Sequence, residues 1–428
     1  MTAAAAPTSM APTITLRAAR SWGVPIALGV IGVISLWVFG LGTESGQSTT
    51  FAFARSTDFV TIPTLTVPSS ATATALSVLA LAIAAYAAWA VQTARRFPLW
   101  AAALYGVAVL GALLTWAGAG KTDTSIQVTG LLTGAVVLSV PLVFGSLAGV
   151  VCERSGVINI AIEGQLLAGA FTAAVVASAL GSPYLGLLAA PIAGALTGAV
   201  LALFAVKYWV NQIVVGVVLN VLVVGITNFL FGTLLRENDN LNQSMPLPRL
   251  PIPGLSAIPV IGPTLFNHTI LVYIMYATVA VLAVMLFRSR WGLRVRAVGE
   301  HPKAADTVGI KVNRTRVRNT ILGGAIAGLG GAFYTVAAGL AFGQEMTSGA
   351  GYIALAAMIL GRWRPTGALA AALLFGFANS LKDQLGIVGS DIPSQFLAML
   401  PYLATILAVA GFVGHARPPA AEGIPYKK

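Results

Sequence analysis

The side chains best suited to chemistry in this sequence are uncharged amides and two carboxylates set in otherwise apolar runs. Glu163 follows Asn159 by one helical turn, Gln212, Asn220 and Asn228 recur every eight residues, Gln344 precedes Glu345, and Asn379 stands alone. At about 100° per residue, an eight-residue step turns about 80°, so the three amides trace a slowly turning stripe along a helix. Asn and Gln offer both donors and acceptors, which suits a neutral solute rich in hydroxyl or amide groups. Each of these residues reads either as lining of a polar pathway or as a structural hydrogen-bonding group. Covalent chemistry has no such support. His268, His301 and His415 lie far apart without HExxH spacing, and the lone Cys152 excludes an intrachain disulfide or a thiolate cluster. No catalytic residue, no metal site and no cofactor on this chain are therefore expected. The run Ala117-Gly118-Ala119-Gly120-Lys121-Thr122 mimics a phosphate-binding loop, but Thr115 occupies the place of its first Gly.

The elements that must position these residues follow from composition. Charged residues make up 9% of the 428 and hydrophobic residues 57%, against about 25% charged in soluble domains. A water-soluble fold with that balance could not cover its surface. This excludes a soluble enzyme, a disordered chain and a nucleic-acid binder, and leaves an all-α, polytopic transmembrane helical bundle in a lipid bilayer. Its net charge of +12 sits in short clusters between apolar runs, as topology signals do.

About twelve spans are predicted, over 22–41, 73–91, 98–118, 127–151, 157–180, 184–206, 213–235, 269–287, 320–341, 349–360, 367–381 and 395–413. Most approach the roughly 20 residues a crossing needs; the tenth is short. Arg17 and Arg20 precede the first span, and Arg95, Arg154, Lys207, the segment 288–318, Arg362 and Arg417 follow the even-numbered ones. Both termini are thus expected in the cytoplasm. The Pro-rich stretch 236–263, on the other side, is expected to be non-helical. It reads as a spacer or as a surface for an external partner. The pairs Gly194/Gly198 and Gly324/Gly328 read as close helix packing.

The segment 288–318 carries nine Lys or Arg against Glu300 and Asp306. Within it, Pro302-Lys303-Ala304-Ala305-Asp306-Thr307-Val308-Gly309 has the punctuation of a short self-capped helix, with Pro at its start and Gly after its end. Fixed between two spans, it would form a rigid knob. The Ala304-Ala305 surface suits a protein groove; the basic flanks also suit anionic lipid.

Three stretches carry a family resemblance: Glu153-Arg154-Ser155-Gly156-Val157-Ile158-Asn159-Ile160-Ala161-Ile162-Glu163-Gly164, the segment from Gly299 to Ile310, and Gly351-Tyr352-Ile353-Ala354-Leu355-Ala356-Ala357-Met358-Ile359-Leu360-Gly361-Arg362-Trp363. From about Gln127 to about Gly414 the chain resembles permease subunits of bacterial ABC importers of the branched-chain amino acid, simple sugar and nucleoside group, the nucleoside branch above all. The resemblance implies a permease core at 127–414, a three-span extension at 1–126 and a cytoplasmic tail at 415–428, in the bacterial plasma membrane. It implies a cytoplasmic ABC ATPase partner that binds ATP and receives the coupling helix (Pro302, Lys303, Ala304, Ala305, Asp306, Gly309). It also implies a second related permease, often a different chain, and an extracytoplasmic binding lipoprotein. A simple sugar or other small polar solute remains the alternative cargo, and an ion-coupled secondary transporter the alternative class.

Overall fold

The computed structural model describes residues 22–54, 62–121, 124–243, 245–390, 392–393, 395–399, 402 and 417–427. Arg17, Arg20, Asp58, Asp123, Asp391, His415 and most of the span expected at 395–413 lie outside the described residues. The chain divides into two compact units, Met1–Thr49 with Thr66–Thr122, and Thr50–Leu65 with Asp123–Lys428.

The first unit holds α1 (Gly23–Ile34, continued by the wider turn Ser35–Gly40), α2 (Ser69–Gln92) and α3 (Leu99–Ala117). Ala80, Ala84, Ala101 and Ala108 are buried where the helices meet, because small residues let backbones approach. The Tyr105 hydroxyl donates to the Leu28 carbonyl at 2.6 Å, and the Ser35 and Ser77 hydroxyls bond at 2.9 Å. In apolar surroundings each such group needs a partner.

The second unit holds α4 (Val128–Glu153), α5 (Ile162–Leu180), α6 (Pro183–Ala202), α7 (Gln212–Leu230), α8 (Ile261–Leu265), α9 (Ile270–Arg288), α10 (Arg290–Glu300), α11 (Pro302–Thr307), α12 (Val312–Ala332), α13 (Ala350–Leu360) and α14 (Pro365–Val388). Wider π turns extend α6, α7 and α12 to Lys207, Leu235 and Ala337. Helix α4 is the axis of this unit; its Val140, Val143, Phe144, Leu147 and Val151 have almost no exposure. The glycine pairs meet as their spacing predicts. A Cβ on Gly324 would run into the Gly194 carbonyl, and one on Gly328 into the Ala190 carbonyl, so α6 and α12 touch backbone to backbone.

Among the described residues, nine helices are long and apolar enough to cross a membrane. They overlap the first nine predicted spans, although the fifth begins at Ile162 rather than 157 and the ninth at Val312 rather than 320. The tenth, α13, has only 11 residues. It starts after Gly349, a left-handed residue at φ 82°, and follows a stretch without regular structure at 338–349. The eleventh, α14, is long enough at 24 residues, but Asn379, Ser380, Lys382 and Asp383 make its second half polar.

The Pro-rich stretch departs from expectation at two places, a single 3-10 turn at Asp239–Leu241 and the start of α8. Pro263 sits inside the short helix α8, which is possible because the third residue of a helix needs no N–H partner within it. The rest is pinned by a ladder in which Arg249–Pro251 pairs antiparallel with Asn267–Thr269, and by Tyr273, whose hydroxyl donates to the Leu250 carbonyl at 2.8 Å.

Candidate functional site

Two interruptions of helical structure lie inside the second unit. One is the stretch 154–161 between α4 and α5; the other is 338–349 before α13. Backbone that leaves a helix in apolar surroundings must find new hydrogen-bond partners. The polar residues singled out by sequence supply them.

Glu163 is 8% exposed. Its Oε1 accepts from the Thr347 hydroxyl at 2.6 Å and from the Gly349 N–H at 2.9 Å. Its Oε2 accepts from the Gly351 N–H at 2.6 Å. A carboxylate at the start of α13 satisfies free N–H groups and meets the positive end of the helix dipole. The site also requires Gly351, since a Cβ there would collide with the Glu163 backbone.

Asn159 does not share a helix face with Glu163, because α5 begins only at Ile162. Instead its Nδ2 donates to Gln165 Oε1 at 3.0 Å, and Gln165 Nε2 returns a bond to Asn159 Oδ1 at 3.3 Å. The amide stripe of α7 also turns inward. Gln212 Oε1 accepts from the Ile158 N–H at 2.7 Å. Asn220 Oδ1 accepts from the Gly164 N–H at 2.8 Å, while its Nδ2 donates to the Ile160 carbonyl at 2.9 Å and to the Tyr352 hydroxyl at 3.2 Å. Asn159, Glu163, Gln212 and Asn220 thus hold the two broken segments in place, and Asn228 reaches toward Glu345 with an Nδ2 to Oε1 distance of 3.4 Å. Gln344 is exposed.

Asn379, whose Nδ2 donates to the Phe375 carbonyl at 3.2 Å, faces a cavity. That cavity, of about 350 Å³, is also lined by Phe333, Tyr334, Thr347, Ser348, Lys382 and Asp383, among others. Lys382 Nζ lies 3.3 Å from Asp383 Oδ1, so the cavity pairs aromatic surface with amide, hydroxyl and charged groups. A pocket of this size and mixture fits a small solute with one apolar face and several hydroxyls. Neither Lys382 nor Asp383 is among the site residues expected from sequence; the signal available was a charged pair inside a helix rich in Ala and Leu.

Replacing Glu163 with Gln keeps the shape and removes the charge. Gln offers one accepting oxygen, and its NH₂ would face an N–H donor. Charge-assisted hydrogen bonds contribute about 1.5–3 kcal/mol, so the stretch before α13 should open roughly tenfold or more often. Faster hydrogen exchange at peptides covering 347–352 measures this; unchanged exchange would remove the carboxylate from that role.

The helix expected from Pro302 forms as α11, and Gly309 beyond it takes the left-handed φ of 83°. Lys303 and Ala304 are exposed and Asp306 is partly buried. Ala305, however, is only 3% exposed, packed with Val298 and Val312 and against Tyr426. The expected Ala304-Ala305 surface is therefore one alanine outward and one inward, because neighbours on a helix are about 100° apart.

Tyr426 belongs to a tail that sequence reasoning left featureless. The Ala421 N–H donates to the Gly299 carbonyl at 2.8 Å, and that of Gly423 to Gly156 at 3.3 Å. Arg316, 2% exposed on α12, donates to the Ile424 carbonyl at 2.7 Å and to that of Ala421 at 3.3 Å. The tail thus straps the turn after α4 to α10 and α12.

Burial raises the Glu422 carboxyl above its ordinary value, against the opposing effects of a hydrogen bond with Glu153 and the charge of Arg154. A released tail would restore the ordinary value. The contribution of this group to docking is then complete below that ordinary value and disappears as pH rises through the raised one. Exchange protection at 420–424, corrected for intrinsic pH effects, should weaken as pH rises above the ordinary carboxylate range, and Glu422→Gln should reduce that dependence.

Comparison with known proteins agrees with this architecture. The family described as branched-chain amino acid transport system, permease component, matches residues 131–410. The guanosine ABC transporter permease of Bacillus subtilis is 40% identical over 317 residues, 71% of this chain and 98% of that protein. The nucleoside ABC transporter permease of Lactococcus lactis is 39% identical, over 70% of this chain and 96% of its own length. A putative glucose ABC transporter permease of Haloferax volcanii is 34% identical, over 66% and 91%. Second guanosine and nucleoside permeases of the two bacteria match at 28% and 24% identity. No solved structure matches the chain. These relatives are transport subunits rather than enzymes, and with nine apolar helices among its described residues the chain is a multi-pass plasma-membrane protein that belongs to the permease component family of branched-chain amino acid transport systems.

Proposed function

We propose that this chain is one permease subunit of an ATP-driven nucleoside importer. The observation that carries the reading is the 40% and 39% identity to guanosine and nucleoside permeases across nearly their whole length. The cavity beside Asn379 supports it, because aromatic faces next to amide and hydroxyl groups match a base joined to a sugar. Asn228, Gln344, Glu345 and Asn379 contribute to the pathway, and Asn159, Glu163, Gln212 and Asn220 hold its walls. The glucose permease relative favours a second reading, a simple sugar as cargo.

In this reading a separate cytoplasmic ATPase binds and hydrolyses ATP, this chain binds no cofactor, and α11 transmits the motion. Since both bacteria hold two similar permeases, the second permease is a different, related chain. An extracytoplasmic lipoprotein delivers the solute. Twelve spans with both termini inside would put the tip formed by α11 beside the ATPase, and residues 1–126 would extend a core at 127–414.

Vesicles containing this chain, a partner permease, the ATPase and the binding protein should accumulate labelled nucleoside only with ATP inside the ATPase compartment. Accumulation driven by an ion gradient without ATP would overturn the class. Displacement of the label by glucose but not by unlabelled nucleosides would transfer the cargo to sugars.

A further inference from the structure

A second cavity, of about 560 Å³, opens between the start of α10 and the start of α12. It is lined by Arg290, Arg294, Lys311, Arg314 and Arg318, and by no Asp or Glu. Arg290 and Arg294 lie four residues apart on α10; Arg314 and Arg318 do so on α12. Two helix faces therefore aim cations at one space. Among the described residues none of the five forms an ion pair with a carboxylate. Five like charges around a cavity repel one another, and an anion resident there would relieve them.

We propose that this cavity holds the phosphate headgroup of an anionic membrane lipid. Its position favours a lipid over other anions. Helix α10 follows the apolar helix α9 after the single residue Ser289, and Arg318 stands just before the apolar run of α12, so the cavity lies at the level where two apolar helices end. Leu293, also in the lining, is 62% exposed. An amphipathic helix with cations and an exposed Leu on one face suits the boundary between headgroups and acyl chains. The long basic side chains reach phosphate while their stems cover apolar surface. The lipid would brace α10, on which α11 is mounted, against the bilayer.

The test uses the full chain in nanodiscs of equal parts phosphatidylcholine and phosphatidylglycerol, released into a mass spectrometer. The wild type should retain phosphatidylglycerol in preference to phosphatidylcholine. Neutralising three cations together, with R294Q, R314Q and R318Q, should lower that preference on the order of 100-fold, at about a factor of five for each. The matching variant with Lys at all three positions keeps the charge and should keep the preference, which guards against misfolding. An indifferent wild type, a Gln variant that retains the preference, or a Lys variant that loses it would overturn the proposal. So would displacement of the lipid by inorganic phosphate but not by sodium chloride at matched ionic strength, which would assign the cavity to a free anion. A Gln variant with normal lipid retention and lost ATPase co-purification would assign the face to that protein instead.

Discussion

Gly324→Val is expected to leave little or no folded permease, whereas Gly225→Val is expected to be tolerated. The two glycines both lie on apolar helices, but their surroundings are opposite. A Cβ on Gly324 meets the Gly194 carbonyl and the Gly198 Cα, backbone atoms of α6 that no rotamer change can move aside. At Gly225 nothing lies within 4 Å. Forcing extra methyl groups into a packed interface costs about 1–3 kcal/mol where side chains can yield, and more where they cannot. In a bilayer the hydrophobic effect gives helix association no help, so close packing carries it. The same interface continues through Gly328 against Ala190 and Gly194, which leaves no slack for a sideways shift. Detergent-solubilised Gly324→Val should aggregate on size-exclusion chromatography or melt far below the wild type. A monodisperse Gly324→Val protein melting with the Gly225→Val control would show that the two helices are not locked at this point.

Those glycines were legible in the sequence because a four-residue spacing of small residues is a local pattern with one physical use in an apolar helix. Hydropathy made the first nine helices legible for the same reason, since each announces itself within its own twenty or so residues. Pro302 and Gly309 announced α11 through rules that act within one turn. What could not be read was where a helix breaks inside an apolar run. Asn159 and Glu163 are spaced for one helical face, yet α5 begins between them, because the deciding partners lie far along the chain. Thr347 and Gly349 are 184 and 186 residues from Glu163, and Asn220 is 56 from Gly164. The α7 amides were recognisable as residues an apolar helix does not need, but their targets are backbone groups, which look alike at every position. The tail had even less to show. Arg316 stands in the polar, basic run Asn313-Arg314-Thr315-Arg316-Val317-Arg318-Asn319, so nothing set it apart from its neighbours as buried, and its partners are carbonyls at Ala421 and Ile424.

The second large effect concerns α11, where one alanine faces outward and the next inward. Ala304→Arg should abolish ATP-driven uptake while the protein inserts and melts normally. Ala305→Arg should instead destabilise the chain itself. Ala305 is enclosed by Val298, Val312 and Tyr426, and an unpaired charge placed there is strongly disfavoured. Ala304 has no such enclosure; together with Lys303, Thr307 and Val308, the last 75% exposed, it forms the outward face of the helix. If α11 is the proposed coupling element, its six residues present only that small area to the ATPase. Loss of one central contact at an interface so small resembles the loss of a dominant interface residue, worth about 2–4 kcal/mol. Uptake would then fall on the order of 100-fold, with ATPase co-purification falling in parallel. The comparison separates coupling from folding, which a joint change at both alanines would confuse. Normal uptake by a stably folded Ala304→Arg protein would mean that the motor grips the permease somewhere other than α11.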